Sequence, residues 1–190
     1  MRGKHVSLEP LSVDHAPELF EVTRDPDIWT WLLSSQPSSV DDMRAWIATA
    51  VSSREAFAQI EIATGRVVGT TSFYEVSPEN RRLVIGYTIV GSAWHGTSIN
   101  PEAKLLLLTE AFDVRGALRV GWYTDGANVR SQRAIEKLGA QRDGVLRANV
   151  TRPDGTQRDT VVYSMIADEW PAAREALAGR VARDGAGPRG

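Results

Sequence analysis

The sequence predicts a single α+β domain: a mixed, mostly antiparallel sheet of six or seven strands with helices packed against it. Three observations carry this expectation. The chain has 190 residues, enough for one ordinary domain with a real core and too few for two comfortable ones. Strand-like runs joined by short turns outnumber runs with helical spacing. Residues 82–124 read as strand, helix, strand, a crossover that lays its two strands parallel. Residues 1–183 are expected to form the domain. Residues 184–190, within "RDGAGPRG", are expected to form a flexible tail, because Gly, Pro and charge cannot build a packed end.

Taken in order, "HVSLEPL" alternates as a strand. "SVDHAPELFEVTRD" follows as a helix, with Ser12 or Asp14 as cap and Ala16, Leu19 and Phe20 on one face. "SVDDMRAWIATAVSS" places Met43, Trp46, Ile47 and Val51 on one side of a second helix. "AFAQIEIATGRVVGTTSFYEV" reads as two strands around the turn "ATGR", and "RRLVIGYTIV" as a fourth strand. "PEAKLLLLTEAF" is a third helix, whose run Leu105 to Leu108 suits a helix half-buried under a sheet. Asn100 is its expected N-cap, Pro101 its first residue, and Glu102 lies where the helix dipole favours negative charge. "LRVGWYT" is a fifth strand, and "NVRSQRAIEKLGA" a helix capped by Asn128 and stopped by Gly139. A hairpin around "RPDG" and a closing helix in "DEWPAAREALAGRVA" complete the chain.

Composition narrows the function. Hydrophobic residues make up 42% and charged residues 24%, the balance of a globular protein. A net charge of −2 gives no general attraction to nucleic acid or anionic lipid, so any bound anion must be held locally. There is no cysteine, which removes disulfides, thiol nucleophiles and Cys-based metal sites. His5, His15 and His95 lie far apart without metal-ligand spacing, and no metal is expected. No apolar run approaches a membrane span and "MRGKHVSLEP" lacks a signal-peptide core, so a cytoplasmic location is expected.

One stretch combines a strand end, small residues and a helix start: "IVGSAWHGTSINPEA". Curled backbone N–H groups there, added to the helix dipole, can hold a phosphate. An ordinary strand-to-helix connection with good caps is the plain alternative.

The stretch "IGYTIVGSAWHGTSINPEA", followed by "NVRSQRAIEKLGA", resembles the GNAT acetyltransferase superfamily, and most of all its ribosomal-protein N-terminal acetyltransferase branch. The resemblance extends from about Val6 to Trp170. In the register of the family's acyl-CoA loop (Gln or Arg, two residues, Gly, one residue, Gly or Ala), His95 replaces Gln or Arg. Ser98 replaces the first signature Gly, and Asn100 the Gly or Ala. The second motif matches at Asn128, Ser131, Ala134, Ile135, Glu136, Leu138 and Gly139.

The resemblance implies a GNAT fold with splayed parallel strands four and five and acetyl-CoA (coenzyme A) as co-substrate. It implies pantetheine pairing at Thr88, Ile89 and Val90, and a pyrophosphate cradle at His95, Gly96, Thr97, Ser98 and Asn100. Asn128 and Ser131 would meet the pantetheine, and Ser131 would protonate the leaving thiolate; alternatively Asn128 is a plain cap and Ser131 a helix-surface serine. The family's strand-four carboxylate falls on Val84, which cannot take a proton. Glu75, Glu61, Tyr74 and Tyr87 are the substitutes, with Glu75 the chosen base. Trp29, Trp31 and Tyr87 are the expected acceptor-pocket residues. Arg130, Arg133 and Lys104 are candidates for the 3′-phosphate of coenzyme A. The leading expectation is direct transfer of an acetyl group to a primary amine: a protein N-terminus, a small amine or an amino-sugar antibiotic. The alternatives are a non-catalytic acyl-CoA-binding domain and an unrelated nucleotide-binding module. No nucleic-acid or membrane partner is expected, and relatives occur as monomers and dimers, so a homodimer is possible.

Overall fold

A computed structural model of the chain describes residues 1–152 and 154–184, apart from the Asp184 side chain. Its core is a seven-stranded sheet in the order β1-β2-β3-β4-β5-β7-β6. The strands are β1 (Val6–Pro10), β2 (Glu55–Glu61), β3 (Val67–Ser77), β4 (Arg82–Val90), β5 (Arg119–Asp125), β6 (Gln141–Thr151) and β7 (Gln157–Ile166). Every neighbouring pair is antiparallel except β4 and β5, the pair joined by the crossover. The helices are α1 (Ala16–Val22), α2 (Val40–Ser53), α3 (Ile99–Thr109), α4 (Val129–Glu136) and α5 (Trp170–Asp184). The expected tail, residues 184–190, lies outside the described residues but for Asp184, and so does Pro153 of the "RPDG" turn.

Apolar side chains from both faces of the sheet form two clusters. One joins α1 and α2 to the sheet through Leu19, Trp29, Met43, Ile47, Ala58 and Ile89. The other gathers Phe73, Ile85, Leu107, Leu108, Val120, Tyr163 and Trp170 between the sheet, α3 and α5. The buried stripe of α2 is narrower than its spacing predicts: Met43, Ile47 and Ala50 are inside, whereas Val51 is 45% exposed.

The start of α3 corrects the expected cap. The helix opens at Ile99, so Asn100 is a helical residue and Pro101 its third. Proline is tolerated there because the first four helical N–H groups have no intrahelical acceptor. Ser98 holds the N-cap position without a side-chain bond, and Thr97, one residue earlier, accepts the Ile99 N–H at its Oγ1 at 3.3 Å. Glu102 is also not a solvent-facing dipole residue. It is 4% exposed, and its carboxylate accepts the N–H groups of Lys4, His5 and Val6 at 2.8, 2.5 and 2.8 Å. At the far end α3 widens into a single π turn, Glu110–Val114. Asp113 of that turn receives Trp170 Nε1 at 2.8 Å, and Phe112 stacks on Trp170, so the helix end is pinned to α5.

Candidate active site

β4 and β5 pair at only three positions, Arg82↔Arg119, Leu83↔Val120 and Val84↔Gly121. Both strands continue beyond that point, β4 to Val90 and β5 to Asp125, each with its outer neighbour. The sheet is therefore split along half its height, and the split opens into a cavity of about 1190 Å³. Thr88, Ile89 and Val90 line one wall; Trp122, Thr124, Asn128 and Ser131 line the other.

A bulge in β4 shapes the first wall. Thr70 pairs with Ile89 and Ser72 with Gly86, so Tyr87 and Thr88 together stand opposite the single residue Thr71. Tyr87 adopts φ +50°, a left-handed conformation that costs an L-residue with a β-carbon about 1 kcal/mol or more. Bulges re-aim side chains and free backbone groups beside functional sites. Gly69 allows the tight approach of β3, since a β-carbon there would lie 2.1 Å from the Ile89 carbonyl oxygen.

At the mouth, Gly96 has φ +76° and nothing within 4 Å of a would-be β-carbon, a cradle that an anion can approach closely. The N–H groups of Gly96 and Ser98 donate to no other described residue. Inside, Asn100 Oδ1 and Trp122 Nε1 are buried without a described hydrogen-bond partner, and both residues line the cavity. Orphaned polar atoms of this kind are costly in an empty protein and fit a ligand bearing amides and phosphates. His95 Nε2 meets the Val90 carbonyl at 2.9 Å, and its Nδ1 lies 3.4 Å from Arg130 Nη1, which brings α4 against the loop.

The sequence profile described as Acetyltransferase (GNAT) domain matches residues 5–141. The chain belongs to the GNAT acetyltransferase family. A crystal structure of a GCN5-related N-acetyltransferase from Brucella melitensis superposes with a TM-score of 0.90 at 30% identity, covering 95% of this chain and 84% of that one. The uncharacterized N-acetyltransferase YoaA of Bacillus subtilis is 32% identical over 103 residues; the match spans 54% of this chain and 57% of that relative's length. The ribosomal-protein-S5-alanine acetyltransferase of Vibrio fischeri shares the fold, with a TM-score of 0.72 at 15% identity over 90% of this chain and 97% of its own.

Within this GNAT domain the expected residues divide clearly. Thr88, Ile89, Val90, His95, Gly96, Thr97, Asn100, Asn128, Ser131, Tyr87, Trp31 and Glu75 all line the one cavity. Asn128 does cap α4, its Oδ1 accepting the Ser131 N–H at 3.0 Å. Two residues stand elsewhere. Ser98 is 7% exposed at the helix start, makes no side-chain cap bond and is absent from the cavity wall. Trp29 is 6% exposed in the α1–α2 core, where its Nε1 donates to the Thr23 carbonyl at 2.8 Å and its ring meets Trp46 edge-on. Trp31, 38% exposed, is the tryptophan of that segment that faces the cavity.

Among the proton-handling candidates, Val84 is 4% exposed at the apex of the split. Glu61 is occupied by Trp94 Nε1 at 2.9 Å and Thr64 Oγ1 at 2.6 Å, away from the cavity wall. Glu75 sits on the wall, exposed and accepting from the Tyr123 hydroxyl at 3.2 Å. Burial, with the Glu75 charge next, pushes the Tyr74 and Tyr123 hydroxyls above their usual pKa, so both remain donors at neutral pH.

Lys104, a candidate for the 3′-phosphate, stands in a different place, and Arg54 carried no sequence signal at all. Lys104 lines the inner part of the cavity and is 6% exposed, not at the surface where a 3′-phosphate would lie. Its Nζ donates to Thr88 Oγ1 at 2.6 Å and Thr71 Oγ1 at 3.2 Å, directly beneath the bulge, and burial lowers its pKa to about 7. The signal was present: Lys104 lies three and four residues before the buried Leu107 and Leu108, on the apolar stripe of α3. Arg54, between α2 and β2, also lines the cavity, and no motif marked it. Arg133, by contrast, is exposed and off the cavity wall, whereas Arg130 is on it.

Proposed function

We propose that this domain transfers an acetyl group directly from acetyl-CoA to a primary amine. The observation that carries the reading is the split between β4 and β5, which continues into a cavity lined by Thr88–Val90 on one side and Asn128 and Ser131 on the other. Acetyl-CoA, when bound, supplies a thioester whose acyl carbon an amine can attack. The residues that would hold it are the Gly96–Asn100 loop for the pyrophosphate, Arg130 for phosphate charge, and Asn100, Trp122 and Asn128 for polar groups along the arm.

The chain's own part in the chemistry is positioning and proton movement. Glu75, oriented by the Tyr123 hydroxyl, takes a proton from the incoming ammonium directly or through one water. Ser131 relays to the leaving thiolate the proton that the attacking nitrogen sheds as the amide forms, its hydroxyl giving one proton and taking the other; that hydroxyl makes no hydrogen bond to another described residue, and Ser131 lines the same wall. An N–H of the bulged β4 segment would favour a developing oxyanion in the split.

Thiol release from acetyl-CoA, measured against a panel of peptides, small amines and aminoglycosides, tests the proposal. Turnover on at least one amine, with an acetylated product by mass spectrometry, is the expected result. Tight acetyl-CoA binding without turnover on any amine would instead establish an acyl-CoA-binding domain. Calorimetry that detected no binding of coenzyme A would refute both.

A further inference from the structure

The acceptor end of the cavity holds more positive charge than its surroundings neutralise. Arg54 places its guanidinium carbon 3.9 Å from the Tyr87 ring centroid and 5.6 Å from that of Trp46. Its Nε donates to Ser72 Oγ at 3.2 Å and its Nη1 to Ser53 Oγ at 3.3 Å. No described carboxylate pairs with it, and Nη2 donates to nothing described. Half burial works against its charge. On the opposite wall, Arg158 is 7% exposed and its Nε is buried without a hydrogen bond. The nearest carboxylate, Asp125, is 3.9 Å from that nitrogen and is already taken by Arg152 Nη2 at 2.7 Å and Nε at 3.0 Å. Both arginines lie within electrostatic reach of Tyr87. The other carboxylates on the wall, Asp27 and Glu75, are exposed to solvent.

A guanidinium stacked on an aromatic face and fixed by two serines is a rigid fork with its outer edge free, the geometry that suits a planar two-oxygen anion. A half-buried guanidinium without a carboxylate partner gains by meeting an anion there. We infer that the acceptor is a small primary amine that carries its own carboxylate, gripped by Arg54. The amine of such a molecule reaches toward the split next to Tyr87 while its carboxylate stays at the arginine edge. This rests on the acetyl-transfer reading above.

Matched pairs separate the two ideas: each α-amino acid against its own carboxamide and against the aminophosphonate of the same side chain. The expected result is a kcat/KM at least tenfold higher for the acid than for the amide of the preferred side chain. In Arg54→Gln that ratio falls toward one, mainly through KM for the acid, while Arg54→Lys restores part of it. Acetyl-CoA affinity by calorimetry stays unchanged in both variants, which shows that they fold. Equal rates on acid and amide, a phosphonate preferred tenfold, or an Arg54→Gln loss that is equal for all three would each overturn the carboxylate assignment. Turnover confined to amines without any acid group would overturn it too, while leaving acetyl transfer standing. Absence of thiol release with every amine would overturn the transfer reading itself.

Discussion

Single side chains carry the chemistry proposed for this domain. Glu75 stands in the left-handed region at φ +46° and faces Tyr123, so its carboxylate is placed by backbone as well as by hydrogen bonding. Removing a general base costs on the order of 100-fold or more in rate. Glu75→Gln should therefore lower kcat by about that factor with little change in acetyl-CoA KM; an unaltered pH–rate profile would exclude Glu75 as the base. Lys104 sets a different expectation. Its folded pKa, about 7, lies below the 10.5 of the free side chain. Between those values the unfolded chain binds a proton that the folded chain does not, so stability rises with pH, by about 1.4 kcal/mol per pH unit at most. Below pH 7 the full cost of burying the charge is present; above about 10.5 it is gone. Urea unfolding of the native protein should give a midpoint that climbs from pH 7 to 9, and Lys104→Met should flatten that climb.

At the scale of elements, the close contact of β3 with β4 holds the split open on one side. A β-carbon at Gly69 would strike backbone, the Ile89 carbonyl, which cannot rotate away as a side chain could. Gly69→Ala should push β4 outward, lower stability by about 1–3 kcal/mol and weaken coenzyme A binding; calorimetry on a folded variant with unchanged affinity would contradict the role given to this contact. Elements were also the best-read level of the sequence. The five α-helices and seven strands fall where periodicity and turn residues put them, because Met43 and Ile47, or the alternation of "VSLEP", report directly on one buried face. The start of α3 moved because a proline in the first turn marks no single position, and a threonine before it could cap. Asn128, Ser131 and the Thr88–Val90 segment were legible through their motif. Arg54, Arg158 and Tyr123 were not, since they come from distant segments and meet only across the cavity. Trp29 and Trp31 are two residues apart, and no local signal says which of them the short turn before α2 turns inward.

For the whole molecule, the consequence of the split is that two half-sheets share three paired positions. A ligand that touches both walls adds a bridge between them, and binding the folded state alone stabilises it by about 2.7 kcal/mol at a hundred times Kd. Hydrogen exchange with coenzyme A present should slow at residues 85–90 and 122–125 more than at the β2–β3 hairpin. Equal protection everywhere would mean that the ligand does not sit in the split. Among the described residues no helix is long and apolar enough to cross a membrane, and no group of three or more acidic, His or Cys side chains could hold a metal ion.

The Glu102 carboxylate is a mechanical link. It clasps three successive amides of the segment that leads into β1, while its own helix begins at the phosphate-sized loop. The same segment is also tied back onto β1, where Met1 and Leu8 exchange backbone hydrogen bonds at 2.9 and 2.8 Å, so Glu102 is one of several links that join the chain's first residues to the rim of the cofactor entrance. A change at any of these first residues is thereby felt where α3 begins.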